Sequence, residues 1–317
     1  MRILNIISDD KDRTLGALIE TPKGIVIRKT AELRTMYSQG YKFENAILDA
    51  RGFVRAKNGV IPRKKLTDIG LKRDKFEKQQ QYEKEQNIEY NTKIRAELLK
   101  YSKTHKLLYH GAANGLQGNI RCDYSNALCD FGTGFYTGTC LIQAENRVNN
   151  KPNAIIYAYT LNLDGEKIYI FEDYTLWALF IGYNRKKITL DSILDKNLIS
   201  LFTDILNNYD IIIGLIADDK IAKAYDEFIQ GNITDRCLYE CLKLVKYGKQ
   251  FVFKNNETVN NMLTQKFNYR LTPEMHKDSI SWGQEIKKFM DERIDEFKKQ
   301  YRNVGNYIDQ CLEAYRE

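Results

Sequence analysis

DFGTGFYT, Asp130 to Thr137, decides how the second half of this chain folds, and it is read together with LLYHG, Leu107 to Gly111, upstream of it. A short apolar run ending in His-Gly marks a buried strand that stops at a loop. Phe135-Tyr136, directly after a double-glycine turn, marks the start of a second strand. A Gly-x-Gly turn alone carries little, because many turns of this composition bind nothing. The pairing is informative: it places a histidine, a bare glycine backbone and a tyrosine ring where they can surround one flat ligand.

Outward from that pair, CLIQAENRV (140–148) reads as a helix, while NAIIYAYTLN (153–162) and KIYIFE (167–172) alternate apolar and polar residues as half-buried strands. DYTLWALFIGY (173–183) is expected to be a helix with Trp177 on its apolar side. LDSILDKNLISLFTDILNNY (190–209) reads as a second helix running into the strand DIIIGLIA (210–217). Two more helices are expected over 222–230 and 234–244, the latter capped by Thr234, before QFVF (250–253) closes the sheet. Short strands mixed with helices in this way predict an α+β domain of two packed sheets over residues 105–256 rather than a doubly wound fold.

Residues 1–66 read as a small mixed domain. MRILNIIS, TLGALIET and GIVIRKT have strand character, TAELRTMYSQGY is a helix that Thr30 could cap, and Asn58-Gly59 suits a hairpin turn. Residues 67–104 lack Gly and Pro after Gly70 and are rich in Lys, Glu and Gln, which predicts a helical connector. Its thin apolar stripe is Phe76, Tyr82, Ile88, Ile94, Leu98 and Leu99. Residues 257–317 read as a C-terminal helical segment, with Ile286, Phe289, Met290, Ile294 and Phe297 at helical spacing.

At 317 residues with 43% apolar and 12% aromatic content, 21 tyrosines among them, the chain can bury a sizeable core and is not a disordered composition. No apolar run is long enough to cross a bilayer and MRILNIISDDKD lacks a signal-peptide layout, so a cytoplasmic protein with no membrane partner is expected. The six cysteines form no C-x-x-C pair, which predicts free thiols. Cys237 and Cys241 suit packing on a helix better than metal binding, and no metal is expected. The net charge of +7 is uneven: residues 1–65 hold 14 Lys or Arg against 7 Asp or Glu. A basic first module makes nucleic acid a candidate partner, and a simple solvated face accounts for the same charge. Arg51, Arg55, Lys57, Arg63, Lys64 and Lys65 could meet phosphates. Phe53 is the one aromatic among them, which does not make a stacking platform.

LLYHG, the G-T-G-F-Y turn and KYGKQFVF (246–253), in that order, resemble the nucleotide-binding core of ADP-ribosyltransferases of the diphtheria toxin and poly(ADP-ribose) polymerase type. That pattern is a strand ending in Tyr/His-Gly, a G-x-G-[FI]-Y turn and a late strand bearing a catalytic Glu, whose place Gln250 takes here. WALFIGYNR (177–185) and YDIIIGLIADD (209–219) between them resemble a poorly characterised bacterial family with the same core and a Gln on the late strand. The resemblance covers roughly residues 105–256. It implies NAD as substrate, with His110, Tyr136 and Gln250 as catalytic residues. His110 would donate to an adenosine-ribose hydroxyl, Gly111 would bring its backbone to the carboxamide, and Tyr136 would offer a ring face to the nicotinamide. Tyr109, Gly134 and Phe135 accompany these residues, and Arg121 and Arg147 are candidates for phosphate groups. Asn184, Arg185 and Asp218 complete the set, although Asp218 equally suits the cap of a helix beginning near Lys220. Without the accompanying motifs, His110 and Tyr136 would read as ordinary buried side chains.

The implied activity is NAD-dependent mono-ADP-ribosyl transfer by a bacterial toxin or phage-defence effector, held in check by an antitoxin or a trigger. Nucleic acid, RNA foremost, is the expected acceptor, and protein the next. A neutral amide at position 250 keeps a hydrogen bond and loses a charge beside the ribosyl cation. Polymer formation is therefore not expected. NAD hydrolysis and non-catalytic binding of NAD or nucleic acid by a pseudoenzyme are the competing readings.

Overall fold

The computed structural model of the protein describes residues 1–22, 24–48, 54–57, 60–68, 70, 73–163, 165–217, 222–244 and 248–316, the side chains at 73–76 and 79 excepted. Arg51, Phe53, the Asn58-Gly59 turn, the Phe76 side chain, Asp218, Asp219 and Lys220 lie outside the described residues. The chain forms two compact units, residues 1–89 and 90–317.

In the first unit, Ile3 and Ile7 recur at even spacing along β1 (Arg2–Ser8) and are fully buried, as a strand with one core face requires. β2 (Thr14–Thr21) and β3 (Gly24–Lys29) follow as an antiparallel meander. α1 (Thr30–Ser38) lays Leu33 onto the core, with Thr30 as its first helical residue rather than its cap. Beyond β4 (Ala46–Leu48) and β5 (Val54–Ala56), which pair with each other, β6 (Arg63–Lys65) joins β1 in parallel. The sheet order is β3-β2-β1-β6.

The division between the units falls inside α2 (Arg73–Tyr101). The second unit continues with β7 (Leu108–Ala112), β8 (Phe135–Gly138), α3 (Leu141–Arg147), β9 (Ile155–Leu161) and β10 (Ile168–Ile170). α4 (Tyr174–Asn184), α5 (Lys196–Asn208), β11 (Ile211–Leu215), α6 (Ala222–Ile229) and α7 (Asp235–Leu244) follow. The chain ends with β12 (Lys249–Phe253), α8 (Asn256–Met262), β13 (Leu263–Arg270), α9 (Pro273–Gln300) and α10 (Ile308–Ala314). Mixed sheets with flanking helices make this an α+β unit.

Where two separate sheets are expected from the sequence, the strands are joined in the order β10-β11-β12-β8-β7-β9-β13. The join is narrow. β7 and β8 share one residue pair, Tyr109 with Gly138, whereas β7 runs its full length against β9 and β8 its full length against β12. Past that pair, β7 has a ladder partner on one edge alone. The unit is therefore two half-sheets meeting at a seam, and strand alternation gives them three cores. Trp177, Phe180, Phe202, Phe228 and Val252 fill one on the side of the helices. Leu108, Phe135, Tyr159, Ile213 and Phe253, drawn from both half-sheets, fill the second. Tyr109, Ile156, Val148 and Tyr269 belong to the third.

α4 is apolar around its circumference because it is enclosed on all sides, with Trp177 to Ile181 all buried. Asp173 caps it, accepting from the amides of Thr175 and Leu176 at 2.8 and 3.2 Å. The helix expected over 190–209 begins later, at Lys196, because Asp191 turns the preceding chain by accepting from the amides of Ile193 and Leu194. The expected all-helical C-terminal segment contains a strand. β13 pairs with β9 along its length with a bulge between Gln265 and Phe267, and the polar residues on this edge hide its alternation. Among the described residues, no helix is long and apolar enough to cross a membrane.

A buried ion pair locks α2, α3 and β13 together. The Arg95 guanidinium grips Glu145 with both arms, at 2.5 and 2.9 Å, and the Tyr269 hydroxyl donates to the same carboxylate. The Glu145 side chain is 1% exposed, so it depends on these donors in place of water. Arg95→Ala is expected to lower the unfolding free energy by about 3–5 kcal/mol in urea titrations, because it strands a buried carboxylate. A loss below about 1 kcal/mol, the scale of a surface pair, would contradict this reading.

Candidate functional site

Asp130 begins the loop of the quoted stretch, and its carboxylate is where the loop, α4 and β12 meet. Arg185, at the C-cap of α4, donates Nε to Oδ1 at 2.8 Å and brings Nη2 to the same oxygen, with Nη2 also donating to the Ala217 carbonyl at 2.8 Å. Asn184 donates its amide to the Asp130 carbonyl at 2.9 Å. Gln250, buried on β12, donates Nε2 to Asp130 Oδ2 at 3.3 Å and to the Leu215 carbonyl at 3.0 Å. Both partners of that amide are pure acceptors, so they fix its orientation: NH₂ toward them and Oε1 away.

Tyr136 secures the next part of the loop. Its hydroxyl donates to the Gly132 carbonyl at 2.6 Å and accepts from the Phe131 amide at 3.0 Å. Burial pushes this phenol far above its ordinary range, so it stays neutral. Lys254 donates Nζ to the Phe131 carbonyl at 2.9 Å, and desolvation pulls its ammonium down to about 8. Gly134 donates its amide to Ser125 Oγ at 2.8 Å, and a Cβ there would stand 2.5 Å from Val252 Cγ1.

His110 stands at the seam. Its Nδ1 lies 2.7 Å from the Tyr136 carbonyl, and since a carbonyl has no proton to give, Nδ1 carries the hydrogen. Burial lowers the pKa of the ring, against the opposing pull of that hydrogen bond. The neutral imidazole is left with Nε2 as an acceptor. This corrects the expected role of His110 as a donor to a ribose hydroxyl, because its one proton is already committed. The ring lies on Phe135, with centroids 4.4 Å apart.

The structure thus gathers Tyr136, Asn184, Arg185 and Gln250 around Asp130 and attaches His110 to them through the Tyr136 backbone. The faces differ, however. Tyr136 packs with the helix-side core, and Phe135, on which His110 rests, belongs to the core shared by the half-sheets. Gln250 is paired laterally with Gly138 on β8 and Gly214 on β11, so no side chain flanks it from either neighbouring strand. Phe131 and Trp177 fill the space over Gly214, and Ile216 approaches that over Gly138.

The other expected residues sit elsewhere. Tyr109 is packed in the third core. Gly111 is required by α3, since a Cβ would stand 2.5 Å from the Ala144 carbonyl oxygen. Arg121 is in an exposed ion pair with Asp123, over the Tyr124 ring, and Arg147 is exposed in the last turn of α3. Neither joins the Asp130 cluster. Sequence reasoning missed Asp130 and Lys254. Asp130 opens the quoted stretch itself, but its role depends on partners 54 to 120 positions away, and Lys254 is visible as a lone cation ending an apolar strand.

Two open depressions, of about 560 Å³ beside Lys29, Glu77, Lys78 and Gln81 and about 370 Å³ beside Ser200, Thr203, Asp204, Asn207 and Asn208, lie apart from this cluster. Among the described residues, no group of three or more His, Cys, Asp or Glu is placed to hold a metal ion. Residues 107–264 are similar to a family whose model is described as a protein of unknown function (DUF3990). No curated protein and no solved structure matches the chain.

Lys254 gives the cluster a pH signature. Below about 8 it is charged whether the chain is folded or not, and the fold bears the full desolvation penalty. Between about 8 and its ordinary 10.5 the unfolded chain holds the proton that the folded chain has released, so stability rises with pH. Lys254→Met should therefore gain most over the parent protein in thermal melts at neutral pH, with the difference shrinking as pH rises through that window. A difference independent of pH would contradict the buried, uncompensated ammonium.

Proposed function

We propose that this protein is an NAD-dependent mono-ADP-ribosyltransferase of the diphtheria toxin and poly(ADP-ribose) polymerase kind, working as a toxin or phage-defence effector. Nucleic acid, RNA foremost, is the favoured acceptor, and protein the next. The observation that carries the reading is a pair of unspent acceptors on either side of Tyr136: Nε2 of His110 and Oε1 of Gln250, each pinned by its own donor being used inside the fold.

Cleavage of the nicotinamide bond leaves positive charge on the ribose, and groups that accept from its hydroxyls stabilise that charge as it develops. Gln250 Oε1 suits the nicotinamide ribose and His110 Nε2 the adenosine ribose. A dinucleotide reaching both would cross the seam where β7 and β8 part, passing the Gly111 backbone beyond their last shared pair. The excess of basic residues in the first 65 positions supports a polyanionic acceptor.

Incubation with labelled NAD and separate pools of RNA, DNA and protein tests this. Label should enter at least one pool, and His110→Ala and Gln250→Ala should each cut the rate by about a hundredfold, the scale of one lost transition-state hydrogen bond. Free ADP-ribose alone would make water the acceptor. Salt-sensitive binding to nucleic acid with NAD left intact would favour the pseudoenzyme reading. The transferase reading fails if no pool is labelled.

A further inference from the structure

We infer that Asp130 and Gln250 form a matched pair in which Asp130 holds the site's carboxylate and requires an amide at position 250, so that Asp130 is a positioning residue for Gln250. The functional half of this inference rests on the transferase reading above, and its structural half does not. The sequence alone shows Gln250 only as an amide that keeps a hydrogen bond and loses a charge.

The bond pattern argues otherwise. Position 250 is met by Asp130 Oδ2 at 3.3 Å and the Leu215 carbonyl at 3.0 Å, and both can only accept. An amide satisfies them with its two N–H groups and turns Oε1 outward. A carboxylate would present oxygen to oxygen at both contacts, and at one of them charge to charge. Two carboxylates so close, with one guanidinium between them and little water, cannot both ionise without cost. Arg185 commits Nε and Nη2 to Asp130 Oδ1 and to the Ala217 carbonyl, and among the described contacts none runs from it to position 250. The Asp130 side chain is 13% exposed and that of Arg185 24%, which leaves little solvent to screen the repulsion.

The same pattern gives the reciprocal rule. With asparagine at 130, Oδ1 can remain on Arg185 while Nδ2 turns to position 250. There it opposes a donor when the residue is Gln250 and meets an acceptor when that residue is replaced by glutamate, the Leu215 carbonyl opposing the glutamate equally in both backgrounds. Exchanging the two groups moves the carboxylate to position 250 without changing the net charge.

The test is a cycle on the full chain: Asp130→Asn, Gln250→Glu and the double variant, each followed by thermal melting and by transfer from labelled NAD. Gln250→Glu should destabilise the parent protein and stabilise the Asp130→Asn background, a reversal of sign that independent sites cannot give. If Gln250→Glu alone does not fold, the comparison of Asp130→Asn with the double variant still decides the sign. A pH profile separates positioning from mere stability. A carboxyl introduced beside Asp130 must keep its proton to act as a donor, so transfer by Gln250→Glu, relative to the parent, should fall roughly tenfold between about pH 5 and about pH 8. The double variant should show no such fall.

Among the described residues, the titratable group that meets position 250 is Asp130, which in turn is paired with Arg185, and both Asp130 and Arg185 act on the Tyr136 phenol. Burial keeps Tyr136 neutral across this range. Additive losses in melting temperature, or a Gln250→Glu variant as active as the parent and flat with pH, would overturn the pairing. A sign reversal in melting with no labelling by any variant would leave the pairing standing and sink the transferase reading. Labelling by the parent with additive melting would do the reverse.

Discussion

The carboxylate of Asp130 is the constraint on which the candidate site depends. A charge with so little exposure needs a partner, and Arg185 supplies one with two bonds to a single oxygen. The other oxygen is then free to orient Gln250. Once Asp130 is anchored, Phe131 and Gly132 fall within reach of the Tyr136 hydroxyl, and Lys254 closes on the Phe131 carbonyl. The Tyr136 carbonyl, on the other edge of the same residue, sets the tautomer of His110. One ion pair thus orders a chain of contacts that runs from the end of α4 to the seam between the half-sheets.

Much of the second unit is legible in the sequence because local patterns decide it. Apolar runs and glycine turns mark β7, β8, β11 and β12, and the continuous apolar stretch from Leu176 to Ile181 marks a helix enclosed on all sides. The features that escape are those set by distant partners. β13 exists because β9 offers it an edge, and only Leu263 and Tyr269 along it are buried, so its own sequence does not declare a strand. Asp191 and Asp195 shorten α5 through turn bonds and a pair with Arg316 near the end of the chain. For the site, Tyr136, Arg185 and Gln250 are legible from motif order, whereas Asp130, which draws them together, is not. Gly111 and Gly134 illustrate the converse: the motifs suggest ligand approach at both, and close packing against α3 and β12 also demands both.

On the transferase reading proposed above, the chemistry is one of neutral acceptors. His110 and Gln250 each spend their donors inside the fold, which fixes the direction of the lone pairs they leave and costs no reorganisation when a hydroxyl arrives. What the amide at 250 lacks in charge, the adjacent carboxylate of Asp130 holds close by, attenuated by Arg185.

The chain has three histidines, which makes the central claim directly measurable by nitrogen-15 NMR of labelled imidazole rings. His110 should appear as the neutral tautomer protonated on Nδ1, and titration with NAD should shift its Nε2 resonance while leaving His105 and His276 in place. A His110 signal unmoved by saturating NAD, or one already protonated at both nitrogens near neutral pH, would contradict the account.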